Sequence, residues 1–148
     1  MQLTRFSDLA LRVLMYAHAA GDRLVTIQEM ALSYRVSRAH LMKVANALTR
    51  SGYLTAVRGR AGGLRLGKAA EEIHLGEVLR ATEPDFALVE CFATGNQCVI
   101  THCCRLPSVL DVALGAFLDV LDRHTLESIA LKPRDFRRVL APETRKVA

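Results

Sequence analysis

Four cysteines are the residues of this sequence whose type and spacing point most directly to chemistry. Cys91, Cys98, Cys103 and Cys104 lie within 14 residues, and the rest of the chain contains no cysteine. The first residues lack the basic and apolar pattern of a secretory signal, so a reducing, cytoplasmic environment is expected. Thiols clustered in such an environment are more typical of a metal, iron–sulfur or redox site than of a disulfide framework.

The spacing of the cysteines favours an iron–sulfur cluster over zinc. Six residues separate Cys91 from Cys98, and four or five separate Cys98 from Cys103 or Cys104. Zinc sites usually contain a close pair such as C-x2-C, which this sequence lacks. A cluster of several irons is larger and accepts more widely spaced thiolates. Because Cys103 and Cys104 are adjacent and cannot easily bind one cluster together, one of them is expected to be a ligand and the other a neighbour.

Basic residues are concentrated in the first half of the chain. The sequence has 148 residues and a net charge of +5; residues 1–70 carry 11 Lys or Arg and three acids, whereas residues 71–148 carry nine and 12. Between Met30 and Ala70 there are eight basic residues and no acid. An ordinary solvated face, the alternative, usually mixes both signs. The pattern favours a polyanion, and the predicted partner is double-stranded DNA, whose phosphates release counterions to Lys and Arg.

Three helices are predicted to position this basic segment. The first runs from a Ser7 cap to about Gly21, the second from a Thr26 cap to about Tyr34, and the third over residues 38–50. Only three residues connect the second helix to the third. A short helix, a tight turn and a further helix form the helix-turn-helix arrangement of DNA-binding proteins.

A β-hairpin, or wing, is predicted directly after the third helix. Residues 53–57 and 64–66 have strand propensity, and the turn between them is rich in glycine. Arginines at such a tip suit a narrow minor groove. The candidate DNA contacts are polar residues of the third helix and the wing: Ser37, Arg38, His40, Lys43, Asn46, Arg50, Arg58, Arg60 and Arg65.

The second half is expected to place the cysteine loop, residues 85–104, between two helices. These are a short helix over 73–83 and the longest helix over 105–123. The longest helix is apolar outside one narrow polar stripe, so it needs two partners, and the second is expected to be another subunit rather than the same chain. Its expected seam is Leu106, Leu110, Ala113, Phe117 and Val120, with Val109, Val112 and Ala116 on a neighbouring face.

Together these patterns predict a mainly α, winged helix-turn-helix protein with a small β-hairpin wing and a long dimerisation helix. The expected divisions are residues 1–70 for DNA binding, 71–104 for the linker helix and cluster loop, 105–132 for the dimerisation helix and a short following helix, and 133–148 for a C-terminal tail. The apolar stretches are shorter than the roughly 20 residues that span a bilayer. The protein is not expected to be an enzyme or to bind a membrane.

The sequence resembles the NsrR repressors, nitric-oxide-sensing members of a bacterial winged-helix superfamily of iron–sulfur regulators. The motifs that carry the resemblance are MQLTRFSD at 1–8, V-S-R-x-H at 36–40, GYLTAVRGR-x-GG-x-RL at 52–66 and the cysteine loop ending C-R-L at 104–106. Together they extend over nearly the whole chain. Related regulators of cluster assembly have a histidine three residues after the last cysteine, where this chain has Pro107, so the resemblance to that group is disfavoured.

The resemblance implies a homodimer that represses transcription from promoter DNA and holds one iron–sulfur cluster per subunit. It further implies that the intact cluster supports DNA binding and that nitric oxide, by attacking the irons, releases the DNA. Carried over to this sequence, the cysteine ligands are Cys91, Cys98 and Cys104. The six-residue first gap and the additional Cys103 depart from the family pattern and leave the third ligand open. A 4Fe-4S cluster is expected, with 2Fe-2S as the alternative.

A fourth ligand and two other functions stay open. Asp8 matches the position from which some NsrR proteins supply a carboxylate to the cluster of the other subunit; the alternative is a first-turn carboxylate that pairs with Arg12. The nearer functional alternative is a regulator of the same fold that senses iron–sulfur or redox status. The other is a small electron-transfer or thiol-redox protein, which leaves the basic helix-turn-helix unexplained.

Overall fold

The computed structural model describes residues 2–132 and 134–136. Its regular elements are α1 (Arg5–Ala19), α2 (Ile27–Tyr34), α3 (Arg38–Arg50), β1 (Leu54–Val57), β2 (Gly63–Leu66), α4 (Leu75–Thr82) and α5 (Leu106–Asp122), with 3-10 turns at Ala70–Glu72, Glu90–Phe92 and Glu127–Ile129. Three helices followed by an antiparallel hairpin form a winged helix-turn-helix. The predicted fold class is therefore confirmed. No helix in these two described ranges is long and apolar enough to cross a membrane.

α1 is the central helix of the fold. Its apolar residues recur every three or four positions, so they form one stripe along the helix. Leu9, Ala10, Val13, Leu14 and Ala17 on this stripe are each at most 1% exposed. The helix packs against α3, β2 and α4. Since burial of one large aliphatic side chain contributes about 1.5–3 kcal/mol, this stripe fixes the positions of those three elements.

α1 begins one turn earlier than predicted, because its cap is Thr4 rather than Ser7. The Thr4 hydroxyl accepts a hydrogen bond from the Ser7 N–H at 3.2 Å, and Ser7 is buried in the first turn. The predicted cap of α2 is confirmed, since the Thr26 hydroxyl accepts from the Glu29 N–H at 3.1 Å. The Glu29 carboxylate turns to the Arg23 guanidinium at 2.7 Å, and these hydrogen bonds lower the pKa of Glu29.

The tight turn between α2 and α3 depends on one residue in the left-handed conformation. Arg35 has φ 53° and ψ 45°. Its N–H donates to the Leu32 carbonyl at 3.3 Å, and the Val36 N–H donates to the Ala31 carbonyl at 3.0 Å. This Schellman motif ends α2 and directs the chain into α3.

The wing is attached to the helix-turn-helix by a backbone bridge. β1 and β2 pair in an antiparallel register from Leu54 opposite Leu66 to Val57 opposite Gly63. On the other edge of β2, Leu64 exchanges two backbone hydrogen bonds with Val25, at 2.7 and 2.9 Å. The wing therefore has a fixed position relative to the segment that leads into α2.

A clamp of polar contacts joins both ends of α4 to the end of α5. The Arg80 guanidinium donates to both Asp122 carboxylate oxygens, at 2.6 and 2.8 Å, and thereby lowers the pKa of Asp122. The His74 ring donates from Nδ1 to the Asp122 carbonyl at 2.7 Å. Position 76 is glycine at this crossing, where a Cβ would overlap the Asp122 carboxylate.

α5 has a half-buried inner face and an exposed apolar face beside its polar stripe. The half-buried inner face comprises Pro107, Leu110, Leu114, Phe117, Leu118 and Leu121. The exposed apolar face comprises Leu106, Val109, Val112, Ala113, Ala116 and Val120. The predicted seam is divided between these two faces, because Leu110 and Phe117 lie on the inner face and the other three residues lie on the exposed face. Within the described part of the chain nothing covers the exposed apolar face, and Val112 on it is 73% exposed.

Residues after α5 return to the core of the first half. Leu126 is fully buried, and its N–H donates to the Ile73 carbonyl at 2.8 Å. Phe136 is also buried and lies edge-on to the Tyr16 ring, with centroids 4.8 Å apart. Apart from 134–136, the predicted C-terminal tail at 133–148 lies outside the described residues.

Removing the Leu126 side chain tests this return. Leu126→Ala is expected to lower the free energy of unfolding by about 2–5 kcal/mol, because it leaves a cavity in a packed core. Leu131→Ala is the matched control, since Leu131 is 46% exposed, and it is expected to change little. Urea unfolding at fixed protein concentration measures both; equal losses would show that Leu126 is not a core residue.

Candidate nucleic-acid interface and cysteine loop

α3 separates a buried stripe from an exposed polar face. Leu41, Val44, Ala45 and Leu48 are buried against the rest of the helix-turn-helix. The predicted contact residues lie on the other side, with Ser37, Arg38, Lys43, Asn46 and Arg50 exposed and His40 half-buried. The helix therefore presents amide, guanidinium and ammonium groups, which are the donors that read guanine and adenine edges and phosphates.

The N-terminal end of α3 is free to meet an anion. Ser37 occupies the cap position in extended conformation, but its side chain forms no cap hydrogen bond. Ser37 contributes to the helix start only through its backbone, whose carbonyl accepts from the Leu41 N–H at 3.1 Å. Since the first N–H groups of a helix lack intrahelical partners, this end favours phosphate.

The wing tip combines exposed arginines with a tightly folded glycine turn. Arg58, Arg60 and Arg65 are all exposed. Gly59 has φ 115°, a conformation that L side chains rarely adopt. A Cβ at Gly62 would overlap the carbonyl oxygens of Val57 and Gly59, so only glycine fits there without a shift of the tip.

The basic charges of α3 and the wing have no carboxylate partners among residues 2–132 and 134–136. The ion pairs of that part of the chain are Asp8–Arg12, His18–Glu127, Arg23–Glu29 and Arg80–Asp122. Lys68, which also belongs to the acid-free segment, lies over the Tyr53 ring at 4.6 Å instead. The unpaired Lys and Arg charges of α3 and the wing are therefore available to attract a polyanion.

The four cysteines lie as free thiols on the segment between α4 and α5. Cys91 sits in the 3-10 turn Glu90–Phe92 and is half-buried, as are Cys98 and Cys104. Cys103 is exposed, and its thiol donates to the Ile100 carbonyl at 3.4 Å. The three cysteines carried over from the resemblance thus share one degree of burial, and the additional thiol differs from them.

Three polar residues that are not among the predicted site residues shape this loop around Cys98. Asn96 Oδ1 accepts from the Cys98 N–H at 2.9 Å, and its amide donates to the Thr101 hydroxyl at 2.8 Å. The Thr101 hydroxyl donates to the Cys98 carbonyl at 2.8 Å. Glu90 accepts from the Gln97 N–H at 3.0 Å. The Asn-x-Cys spacing, typical of an Asx turn, was the available sequence signal.

The donors of the described chain are not gathered around one point. In residues 2–132 and 134–136, no three His, Cys, Asp or Glu side chains form a group that could hold a single metal ion. Asp8 pairs with Arg12 through two contacts of 3.0 Å, which is the pairing expected of a first-turn carboxylate. The thiolates of an iron–sulfur cluster surround a larger body than a single ion, so its ligands lie farther apart than those of one metal ion.

Comparison with known proteins identifies the family. The model of the Rrf2 family, described as iron-dependent transcriptional regulators, matches residues 3–132. The chain belongs to the Rrf2 family. It is 48% identical over 143 residues to the HTH-type transcriptional regulator NsrR of Bacillus licheniformis, covering 95% of this chain and 100% of that protein. It is 46% identical over 143 residues to NsrR of Bacillus subtilis, covering 95% and 97%.

Solved structures confirm the fold of this Rrf2 regulator. CymR, the global cysteine regulator of B. subtilis, aligns with a TM-score of 0.67 over 88% of this chain and 96% of its own, at 21% identity. IscR of T. potens aligns with a TM-score of 0.67 over 87% and 85%, at 20% identity. The predictions of an NsrR-type protein and of a DNA-binding transcriptional regulator rather than an enzyme are confirmed.

A methyl group at Gly62 tests the wing. Gly62→Ala is expected to weaken binding to a DNA duplex selected by the protein from a random pool by about tenfold, because a displaced tip loses contacts worth about 1–3 kcal/mol. Gly115→Ala is the control, since a Cβ there meets no neighbour. Fluorescence anisotropy measures both affinities; unchanged affinity in a folded Gly62→Ala protein would remove the wing tip from the interface.

Proposed function

We propose that this Rrf2 regulator is a homodimeric repressor that binds promoter DNA through α3 and the wing and releases it in response to nitric oxide. The observation that carries the proposal is the presence, on one chain, of an unpaired basic surface and a loop of four free thiols. The identity with NsrR regulators supports the same assignment. Such a repressor acts in the cytoplasm.

The DNA-binding part of the proposal uses residues 1–70. Arg38 and His40 enter the major groove first, since they lie at the N-terminal end of α3, and Lys43 and Asn46 follow on its exposed face. Ser37 and Arg50 at the ends of the helix contact phosphates, and Arg58, Arg60 and Arg65 extend the contact through the wing. The acid-free surface attracts DNA phosphates within the Debye length, which is about 8 Å at physiological salt.

The cysteine loop within residues 71–104 is proposed to hold one iron–sulfur cluster per subunit. The donor set fits, because Cys91, Cys98 and Cys104 are free, half-buried soft ligands on a loop between two helices. A 4Fe-4S cluster is the proposed type, with 2Fe-2S as the alternative. When bound, the cluster supplies irons that react with nitric oxide. Asn96 and Thr101 orient the backbone on both sides of Cys98 for this role.

The fourth ligand is proposed to be Asp8 of the partner subunit. In each subunit Asp8 lies in the first turn of α1, where the Arg12 guanidinium contacts both oxygens of its carboxylate. Each oxygen retains a further lone pair, so a metal and the guanidinium are compatible partners. Arg12 then fixes the direction in which the carboxylate points.

The dimer is proposed to form through the exposed apolar face of α5, within residues 105–132. Val109 and Val112 on this face are 63% and 73% exposed, which is unusual for large apolar residues on a helix. A symmetric pair of chains buries the face against itself. The two α3 helices of such a dimer must sit about 34 Å apart to enter successive major grooves.

Single replacements test the cysteine ligands. Cys91→Ala, Cys98→Ala and Cys104→Ala are each expected to lose the iron and the brown absorbance after anaerobic reconstitution, because thiolates anchor the irons directly. Cys103→Ala is the matched control and is expected to retain both. Loss of iron in Cys103→Ala together with retention in Cys104→Ala would move the third ligand by one residue.

Two basic replacements test the DNA surface. Lys43→Ala and Arg58→Ala are expected to weaken binding to the selected duplex, and loss of a phosphate contact lowers the log–log salt slope by about 0.9. Lys43→Ala is also expected to alter sequence preference if the ammonium reaches a base edge. Arg123→Ala, an exposed arginine at the end of α5, is the control. Wild-type affinity and slope in both variants would contradict the assigned surface.

A further inference from the structure

Two hydrogen bonds join the start of α1 to the residue that closes α4. The Thr4 N–H donates to Glu83 Oε1 at 2.8 Å, and the Thr4 hydroxyl donates to the same oxygen at 3.1 Å. Seventy-nine residues separate the two in sequence. Glu83 is the last residue before Pro84 and the cysteine loop, so this contact links the sensing half of the chain to the DNA-binding half.

Both partners are themselves held firmly. Thr4 caps α1 through the Ser7 N–H, and its carbonyl accepts from the Asp8 N–H at 3.1 Å. The Glu83 N–H donates to the Leu79 carbonyl at 2.8 Å. A displacement of Glu83 relative to α1 therefore acts on the first turn of that helix, which is the turn that carries Asp8.

The loop arm, residues 84–89 leading into the cysteine loop, lies beside the Thr4–Glu83 contact. A cavity of about 440 Å³ is bounded by residues 2–4, by Glu83 and residues 84–89 of the loop arm, and by Leu110 and Phe117 of α5. The N-terminal segment, the loop and the dimerisation helix thus meet around the Thr4–Glu83 contact. A shift of the loop arm or of the first half of α5 changes the wall of this cavity.

We propose that Glu83 is a positioning residue that couples the cysteine loop to the first turn of α1, and through it to Asp8. This inference rests on the proposed function, because it concerns how the state of the loop reaches the DNA-binding half. The carboxylate is well suited to the role: hydrogen bonds to a charged acceptor are the stronger kind, and a negative charge at a helix N-terminus is favourable. The Arg80–Asp122 clamp joins α4 to the far end of α5 and leaves α1 untouched.

The test compares Glu83→Ala with Glu83→Gln, which keeps an acceptor oxygen, and with Glu77→Ala, an exposed carboxylate on the same helix. The affinity ratio is the factor by which nitric oxide weakens binding of cluster-loaded protein to the selected duplex. Glu83→Ala is expected to reduce this ratio by about tenfold, the effect of one hydrogen bond to a charged group. Glu83→Gln is expected to restore most of it, and Glu77→Ala to match wild type.

Two further readouts separate positioning from general stability. The visible circular dichroism of the cluster is expected to change in Glu83→Ala but not in Glu77→Ala, because the Asp8 carboxylate moves. The double variant Asp8→Ala, Glu83→Ala is expected to behave as Asp8→Ala alone, since Glu83 acts through that residue. Unfolding midpoints of the cluster-free proteins are measured alongside, and Glu83→Asp replaces Glu83→Ala should that protein not fold.

The inference is overturned if wild-type protein responds to nitric oxide and Glu83→Ala responds with the same ratio and spectrum. It is equally overturned if the effects of Asp8→Ala and Glu83→Ala simply add. A wild-type protein that holds no cluster, or that keeps its DNA after nitric oxide, contradicts the proposed function itself. The two failures are therefore distinguishable in one experiment.

Discussion

The buried stripe of α1 is the constraint on which the rest of the structure depends. It packs on α3 and β2, which present the basic surface, and on α4, which leads into the cysteine loop. A packed interface of this kind does not deform continuously, so a displacement at one end of α1 is passed on as a shift of the helix. The polar contacts at its two ends, Thr4 with Glu83 and Tyr16 with Glu29, set its position along its axis.

Charge and thiol chemistry are kept apart in the chain and are connected by this helix. The surface of α3 and the wing carries arginine and lysine with no carboxylate nearby in sequence, whereas carboxylates in the second half form the Arg80–Asp122 clamp and shape the loop. In the proposed dimer, DNA affinity is set by surface charge and by the spacing of the two subunits. The cysteine loop of that dimer needs to change only the spacing in order to change the affinity.

Local features of the fold were predictable from the sequence, because the interactions that fix them are local. The bounds of α3 at 38–50 and the hairpin around the glycine turn match the structure closely. The cap of α1 could not be predicted, because Thr4 and Ser7 are both good capping residues. The choice between them depends on Glu83, which lies 79 residues from Thr4 in the sequence. The division of α5 into inner and exposed apolar faces, and the burial of Leu126, likewise depend on contacts with distant elements.

The candidate site also combines features that the sequence predicts with features that depend on contacts seen only in the structure. The exposure of the basic residues could be predicted, because a helical period with a known buried stripe fixes the opposite face. Of the three residues that shape the loop around Cys98, only Asn96 had a sequence signal, the Asn-x-Cys spacing. Thr101 and Glu90 act through hydrogen bonds to positions three and seven residues away, which the sequence does not reveal. The most direct test of the account is a nitric oxide titration of anaerobic, cluster-loaded protein, in which visible absorbance and binding of the selected duplex are followed together. We expect both signals to fall at the same ratio of nitric oxide to cluster. Bleaching of the absorbance with undiminished DNA binding would contradict nitric oxide sensing through the cluster, and so would release of the DNA by cluster oxidation alone.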